Sequence, residues 1–160
     1  MLTVPLRITD TARLIRLRLF HLMIWSTGQT MGKSLQPGHK VRPNNSWAPA
    51  AAHKTINGKE KFFLYFADNG SGIGVLTADS PIGPFTDPLG TQLVSRSTPG
   101  ASDVTWLFDP AVLVDDDGSG YLYFGGGIPA GKDADPGTAR VAKLGADMIS
   151  LDLSASTWTH

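Results

Sequence analysis

Short apolar runs separated by turn residues dominate the chain from Ser46 onward. Lys61 to Ala67 (KFFLYFA) and Ile73 to Thr77 (IGVLT) are each predicted to form a strand, and Asn57-Gly58 marks a tight turn before the first of them. Asn-Gly beside apolar strands is a strong hairpin signal, because a type I′ turn needs positive φ at both central residues. The pattern predicts an antiparallel hairpin that begins near Trp47-Ala48-Pro49.

The same order of elements occurs a second time along the chain. Phe108-Asp109-Pro110 precedes predicted strands at Ala111 to Val114, Tyr121 to Phe124 and Ala139 to Leu144, with Asp117-Gly118 as the turn. Pro49 and Pro110 stand 61 residues apart. Repetition of a small antiparallel sheet favours the blades of a β-propeller, although a β-sandwich would give similar strands.

Composition supports an all-β fold. The 160 residues include 18 Gly and 11 Pro, which interrupt regular structure and favour many short strands. The 41% hydrophobic and 18% charged residues are typical of a globular protein. The chain has no Cys, which excludes disulfides, thiolate metal sites and cysteine nucleophiles. The four His residues show no metal-ligand spacing, so neither a metal nor another cofactor is expected.

Charge divides the chain into two unlike parts. The net charge of zero argues against a nucleic-acid partner, yet residues 1–42 carry seven Lys/Arg and one acidic residue, whereas residues 43–160 carry seven and thirteen. We therefore expect an atypical basic segment at 1–43 and the β-structure at 44–160. Leu14 to Trp25 is too short and too interrupted by Arg for a membrane span, so an amphipathic helix is favoured over a signal peptide. No membrane partner is predicted, and the localisation stays open.

Three stretches resemble a known family. They are residues 46–85, which begin SWAPAAAHKTINGKEKFFLYF, residues 105–127 (TWLFDPAVLVDDDGSGYLYFGGG) and residues 135–151 (DPGTARVAKLGADMISL). Together they resemble about two consecutive blades of glycoside hydrolase family 43, most closely its arabinofuranosidase and xylosidase branch. The resemblance implies an incomplete portion of a five-bladed β-propeller that binds sugar at one end of its axis.

The resemblance also implies roles for particular residues. Members are inverting hydrolases with a general-base Asp, a general-acid Glu and a further Asp that orients the site and tunes the pKa of the acid. Asp109 matches that further Asp, and Trp47 matches the aromatic that lines the sugar pocket. Trp106 and Phe108 are additional candidates for sugar binding, because aromatic faces suit the apolar C–H faces of a sugar.

The general acid and the general base are not located in this chain. Its only Glu, Glu60, follows the Asn57-Gly58 turn, where a solvated hairpin charge is the natural interpretation. Asp10 is the only acidic residue before Asp68, and no D-P motif surrounds it. The acid is expected beyond position 160. We hypothesise that the residues before about Arg42 are an out-of-frame translation or a remnant of the first blade, since a shifted reading of Met23 to Gly32 yields a peptide that resembles a first-blade segment.

The remaining motifs have ordinary structural interpretations. Asp115-Asp116-Asp117-Gly118 fits a solvated turn better than a calcium loop, because Glu is missing at the twelfth loop position. Gly125-Gly126-Gly127 lacks the features of a phosphate loop and is expected to permit close backbone approach beside the pocket. Asp68 and Asp103 are expected to be turn or rim residues.

The sequence thus predicts a truncated, weakly active or inactive glycosidase fragment. Its expected substrates are plant cell-wall polysaccharides that contain arabinose or xylose, such as arabinoxylan, arabinan and xylan. The alternative is a non-catalytic carbohydrate-binding fragment that keeps the aromatic residues without the acid and base. A third possibility is an unstable product, because two blades leave open edge strands.

Overall fold

The computed structural model describes residues 46–154. The expected boundary near residue 43, the amphipathic helix at Leu14 to Trp25, Asp10 and the out-of-frame hypothesis all lie outside these residues. The described part contains seven strands and no helix. Their bounds are β1 Ser46–Ile56, β2 Lys59–Asp68, β3 Gly72–Ala78, β4 Val94–Ser95, β5 Ala111–Val114, β6 Gly120–Gly125 and β7 Ala139–Lys143.

The first sheet has the order β1-β2-β3-β4, and its long strands are antiparallel. Ile56 pairs with Lys59, so the loop between β1 and β2 has two residues. Both of them, Asn57 and Gly58, have positive φ (51° and 76°), as a type I′ turn requires. The hairpin predicted from the Asn-Gly pair is confirmed.

The second sheet has the order β5-β6-β7 and is also antiparallel. The predicted hairpin is present, but its loop is longer than the Asp-Gly pair indicates, because Val114 pairs with Gly120. In the Asp117-Gly118 pair only Gly118 has positive φ. The carboxylate of Asp117 instead accepts a hydrogen bond of 2.7 Å from the Ser119 amide, which stabilises a wider turn.

The short strand β4 was missed by the sequence pattern. Only two residues, Val94 and Ser95, pair with Ile73 and Gly72 of β3. So brief a segment has no periodicity to detect, and the pairing depends on the fold around it. Residues 96–110 then connect the two sheets.

The main core lies between the two sheets. Phe63, Tyr65 and Val75 of the first sheet and Leu122 of the second are buried in one cluster. Leu107, from the connecting segment, belongs to the same cluster. A smaller cluster on the opposite face of the first sheet contains Leu64, Phe66, Leu76, Ala78 and Phe85. The continuous apolar run of β2 is thus explained by burial on both faces.

The connecting segment and the two sheet ends carry the residues that the sequence singled out. Asp109 directly precedes β5, and Trp47 is the second residue of β1. The β1 and β5 strands lie side by side. No helix long and apolar enough to cross a membrane occurs among residues 46–154.

Candidate functional site

Three aromatic side chains that the sequence singled out come together at the junction of the two sheets. The rings of Trp106 and Phe108 stack with a centroid distance of 5.6 Å and an interplanar angle of 14°. Trp47 meets Phe108 edge-on, at 5.5 Å and 88°. We call these three residues the aromatic corner. Trp47 and Trp106 are 47% and 48% exposed, so two large aromatic surfaces face solvent nearly at right angles.

Local backbone geometry places two members of the corner in the same way. Trp47 precedes Ala48, and Phe108 precedes Asp109; both of these following residues have positive φ (48° and 46°) and both are followed by Pro. In the first sheet the pairing register shifts between Trp47 and Ala50, which is a β-bulge. A bulge redirects a strand and its side chains. The repeated motif therefore presents one aromatic side chain at each sheet end.

Glycines make room for the stacked rings. A Cβ added at Gly70 would lie 3.0 Å from Trp106 Cε3 and 3.1 Å from Phe108 Cε1. A Cβ at Gly127 would overlap Trp106 Cδ1 and would stand 2.7 Å from Thr105 Cβ. The close backbone approach predicted for the run 125–127 is confirmed for Gly127 and for Gly125, whose added Cβ would overlap the Thr138 carbonyl oxygen. It is not found at Gly126, where the nearest atom is 3.7 Å away. Gly70 adds a contact from the first sheet.

Asp109 lies next to the corner in sequence and lines a neighbouring cavity of about 320 Å³. Tyr123, Thr138 and Arg140 line the same cavity, together with Gly125 and Gly126. Asp109 itself is exposed. Among residues 46–154 it is the one carboxylate in this lining, and the three rings of the aromatic corner are not part of it.

Arg140 is a buried cation at the edge of this cavity. The residue is 3% exposed, and its guanidinium donates to the carbonyl oxygens of Gly100 (2.8 Å), Gly137 (2.7 Å) and Ala139 (2.8 Å). It also pairs with Asp103 Oδ2 at 2.9 Å. A buried charge needs such hydrogen bonds to offset its desolvation. Asp103 is thus an exposed ion-pair partner, and it lies in a turn, as predicted.

The other acidic candidates lie elsewhere. Glu60 stands in β2 just after the turn, with Oε1 3.9 Å from His53 Nδ1. Asp68 ends β2, and its Oδ2 accepts a hydrogen bond of 2.8 Å from Gln92 Nε2. The acidic run 115–117 forms the exposed β5-β6 turn. Within the described part of the chain, no three His, Asp or Glu side chains are grouped as metal ligands would be.

Comparison with known proteins gives the family. The model of the glycosyl hydrolases family 43 matches residues 18–158. The chain belongs to glycosyl hydrolase family 43. The match begins before residue 44 and so includes part of the basic segment, while the boundary itself stays a prediction.

Two relatives that match about 70% of this chain have the same name. An arabinoxylan arabinofuranohydrolase of Paenibacillus polymyxa is 71% identical over 118 residues, which are 71% of this chain and 19% of the relative. An arabinoxylan arabinofuranohydrolase of Bacillus subtilis is 68% identical over 118 residues, or 70% of this chain and 23% of the relative. The chain thus spans about a fifth of the length of these curated relatives.

Solved structures agree with this assignment. The crystal structure of a family 43 arabinoxylan arabinofuranohydrolase from Bacillus subtilis, in complex with cellotetraose, is 62% identical with a TM-score of 0.67 over 71% of this chain and 24% of that one. An α-L-arabinofuranosidase from Clostridium thermocellum is 50% identical with a TM-score of 0.54 over 66% of this chain and 32% of that one. The predicted all-β fold, a portion of the family's five-bladed propeller, is confirmed, and the similarity decides against a separate β-sandwich.

Sequence reasoning named the three residues of the aromatic corner and Asp109 as candidates, but it did not name the residues that surround them in the structure. Arg140, Tyr123 and Thr138 line the cavity with Asp109. Arg96 contacts the segment that leads to the corner. No local motif marks these residues, because their contacts depend on how the two sheets and the connecting segment pack together.

Proposed function

We propose that this chain supplies the sugar-contacting part of a family 43 hydrolase that acts on arabinoxylan. The aromatic corner binds the carbohydrate, and Asp109 is the carboxylate that orients the reacting sugar and tunes the general acid. The observation that carries the proposal is the right-angled pair of exposed aromatic surfaces with Asp109 immediately after Phe108.

The shape of the aromatic corner suits a branched polysaccharide. The flat C–H face of a pyranose or furanose packs on the face of an aromatic ring, because the ring face is apolar and carries partial negative charge. Trp47 and Trp106 offer two such surfaces in different directions, linked by Phe108. One surface can contact a backbone sugar while the other contacts a side-chain sugar, as the arabinose substituents of arabinoxylan require.

Asp109 has the chemistry of an auxiliary carboxylate. A negative charge close to a carboxylic acid raises the pKa of that acid and keeps it protonated near neutral pH, so the acid can protonate a leaving oxygen. Inverting hydrolysis also needs a base that activates water, with the acid and base about 6.5–9.5 Å apart. Among residues 46–154, Asp109 supplies the only carboxylate that lines the cavity. We therefore expect the chain by itself to bind oligosaccharide and to hydrolyse it little or not at all.

The substrate class is supported by the relatives. Two curated relatives about 70% identical are named arabinoxylan arabinofuranohydrolases. A solved relative with a TM-score of 0.67 holds cellotetraose, a β-1,4-linked glucan with an extended backbone like that of xylan. Arabinoxylan is therefore preferred over arabinan as the polysaccharide partner.

Calorimetric titration with arabinoxylan oligosaccharides tests the binding proposal. We expect the chain to bind them, and Trp47→Ala and Trp106→Ala each to weaken binding about tenfold, since a lost aromatic face costs on the order of 1 kcal/mol or more. Ile82→Ala is the matched control, because Ile82 is 63% exposed and belongs to a different loop. Failure of the chain to bind, or equal binding by all three variants, contradicts the proposal.

Release of the aglycone from aryl arabinofuranoside and aryl xyloside tests the catalytic part. Binding without release corresponds to the carbohydrate-binding fragment, and it agrees with the single carboxylate at the cavity. Turnover comparable to that of a full-length family member would show that an acid and a base do meet Asp109. Asp109→Asn is the control for such turnover, since it removes the charge and keeps the shape.

A further inference from the structure

We propose that Arg96 is a positioning residue for the aromatic corner, and that it sets the orientation of Trp106 and Phe108 by tying together the two loops on which they depend. The proposal deepens the proposed function, because it concerns the same sugar-contacting surface. It rests on hydrogen bonds to main-chain carbonyls on both loops.

The guanidinium of Arg96 contacts three carbonyl oxygens. It donates to the carbonyls of Val104 and Thr105, the latter at 2.8 Å, in the segment that leads directly to Trp106. It also donates at 3.4 Å to the carbonyl of Gly70, in the turn between β2 and β3. The side chain therefore joins the connecting segment to the first sheet at the point where the aromatic corner begins.

The Gly70 carbonyl is shared with the backbone of the corner. It accepts a second hydrogen bond of 3.2 Å from the Leu107 amide, and Ser71 forms a parallel bridge with Leu107. Leu107 lies between Trp106 and Phe108, so its anchor fixes the backbone of both stacked rings. Gly70 itself lies under these rings, where a Cβ would stand 3.0–3.1 Å from them. Arg96 thus holds the same short turn that the rings cover.

The second sheet holds the other side of the segment without help from Arg96. The Trp106 amide donates to the Gly126 carbonyl at 3.1 Å, and the Gly125 amide donates to the Phe108 carbonyl at 3.0 Å. The corner is therefore fixed between two sheets, and the Arg96 side chain reinforces the attachment to the first. Loss of Arg96 leaves the Leu107–Gly70 hydrogen bond and the Ser71–Leu107 bridge as the attachment to the first sheet. With this attachment weakened, the rings can shift relative to Trp47 on the first sheet.

Arginine suits this position for a geometric reason. A guanidinium presents five N–H donors in one plane, so it can serve several carbonyls at once, whereas a lysine ammonium is a compact charge with a different donor geometry. Lysine would keep the positive charge without bridging Val104, Thr105 and Gly70 together. The conservative substitution therefore separates geometry from charge.

The test compares Arg96→Lys and Arg96→Met with the unchanged chain, with Lys132→Met as a control that removes a positive charge from an exposed loop. Amide hydrogen exchange followed by NMR reports Leu107 and Trp106 individually, and the amides of Leu64 and Leu122 report the two sheets. Calorimetric titration with arabinoxylan oligosaccharides reports affinity, and thermal unfolding reports stability.

We expect both Arg96 variants to lose protection at Leu107 about tenfold and to bind oligosaccharide about tenfold more weakly, as loss of hydrogen bonds from a charged donor predicts. Leu64 and Leu122 should keep their protection, and Lys132→Met should change nothing. A uniform loss of protection across both sheets, or failure of both variants to fold, would show a general structural role and overturn the proposal. Unchanged exchange at Leu107 would overturn it as well.

The two proposals fail in different ways. If the unchanged chain binds no oligosaccharide, the proposed function is wrong, and the exchange at Leu107 and Trp106 still decides the role of Arg96. If the chain binds and the Arg96 variants bind equally well, the proposed function stands and Arg96 has no part in it.

Discussion

Ala48 and Asp109 occupy the same position in successive sheets, and both have a left-handed backbone conformation, with φ of 48° and 46°. Each follows an aromatic residue of the corner and precedes a Pro. Asp tolerates this conformation better than Ala, because its short polar side chain can form local hydrogen bonds. The two sheets thus share the same arrangement of an aromatic residue, a left-handed residue and a Pro. Only in the second sheet does the left-handed residue carry a carboxylate.

Replacement of Ala48 by Gly should stabilise the protein. Left-handed backbone costs an L-residue about 1–2 kcal/mol, whereas Gly adopts it freely and costs about 0.5–1 kcal/mol in unfolded-chain entropy. We expect a gain of up to about 1 kcal/mol in the free energy of unfolding, measured by urea denaturation. Ala50→Gly is the matched control in the regular part of β1, and it should lose about 0.5–1 kcal/mol. Destabilisation by Ala48→Gly equal to that of Ala50→Gly would contradict the strain argument.

Gly127→Ala should cost more stability than Gly118→Ala. Both glycines have positive φ, 77° and 81°, so the backbone term of about 1–2 kcal/mol is shared. A Cβ at Gly118 meets nothing within 4 Å, whereas one at Gly127 would overlap Trp106 and crowd Thr105. We expect a further loss of about 1–3 kcal/mol for Gly127→Ala, as overpacking typically gives.

The same pair of variants reports on the aromatic corner. Gly127→Ala should displace the Trp106 ring and change its indole NMR resonance, whereas Gly118→Ala should leave that resonance in place. Equal stability losses with an unshifted Trp106 resonance would mean that the ring does not need the open space at Gly127.

Removal of Arg140 should destabilise the protein far more than removal of its ion-pair partner. Arg140→Met leaves the carbonyls of Gly100, Gly137 and Ala139 without the guanidinium donor, and each hydrogen bond to a charged group contributes about 1.5–3 kcal/mol. The side chain of Asp103 is 63% exposed, so solvent screens the pair and Asp103→Ala should cost no more than about 1 kcal/mol. Urea denaturation of both variants measures the contrast, and similar losses would show that the ion pair dominates.

Alkaline pH should destabilise the fold through Tyr65. The hydroxyl donates to the Met148 carbonyl at 2.7 Å in the core, and burial, with a smaller contribution from the Asp147 charge, raises the pKa of Tyr65 far above its ordinary value. In the unfolded chain the same hydroxyl ionises near pH 10, so above that pH only the unfolded state releases the proton. The stabilising contribution is therefore complete below pH 10 and is lost as pH rises.

Tyr65→Phe isolates this contribution. Above pH 10, Tyr65 should lower the free energy of unfolding of the unchanged chain by about 1.4 kcal/mol per pH unit. In the variant, the dependence of the free energy of unfolding on pH should lack this contribution. At neutral pH the variant should be less stable by about 1 kcal/mol, because the hydrogen bond to Met148 is absent. Urea denaturation between pH 7 and pH 11 measures both effects. Identical slopes in the two proteins would contradict the assignment to Tyr65.

Local pattern was sufficient for most of the strands. The predicted segment Ala111 to Val114 coincides with β5, and the predicted hairpin at Asn57-Gly58 has the backbone that this dipeptide favours. Asp117-Gly118 correctly predicted a hairpin between β5 and β6, but the observed loop is longer than two residues. Backbone amides of neighbouring residues donate hydrogen bonds to the carboxylates of Asp115 and Asp117 and stabilise this longer turn. Such bonds depend on residues outside the dipeptide.

What the sequence determined by itself was the all-β class, the family and the residue types of the candidate site, because alternation, turn residues and motifs are local properties of the chain. Tertiary structure alone decided that Trp47 meets the stacked rings of Trp106 and Phe108 nearly at a right angle. It also decided that Arg96 and Arg140 donate hydrogen bonds to main-chain carbonyls of the connecting segment. These contacts join residues up to about 60 positions apart in sequence. They form only when the two sheets pack and bury a common core, so no local pattern encodes them.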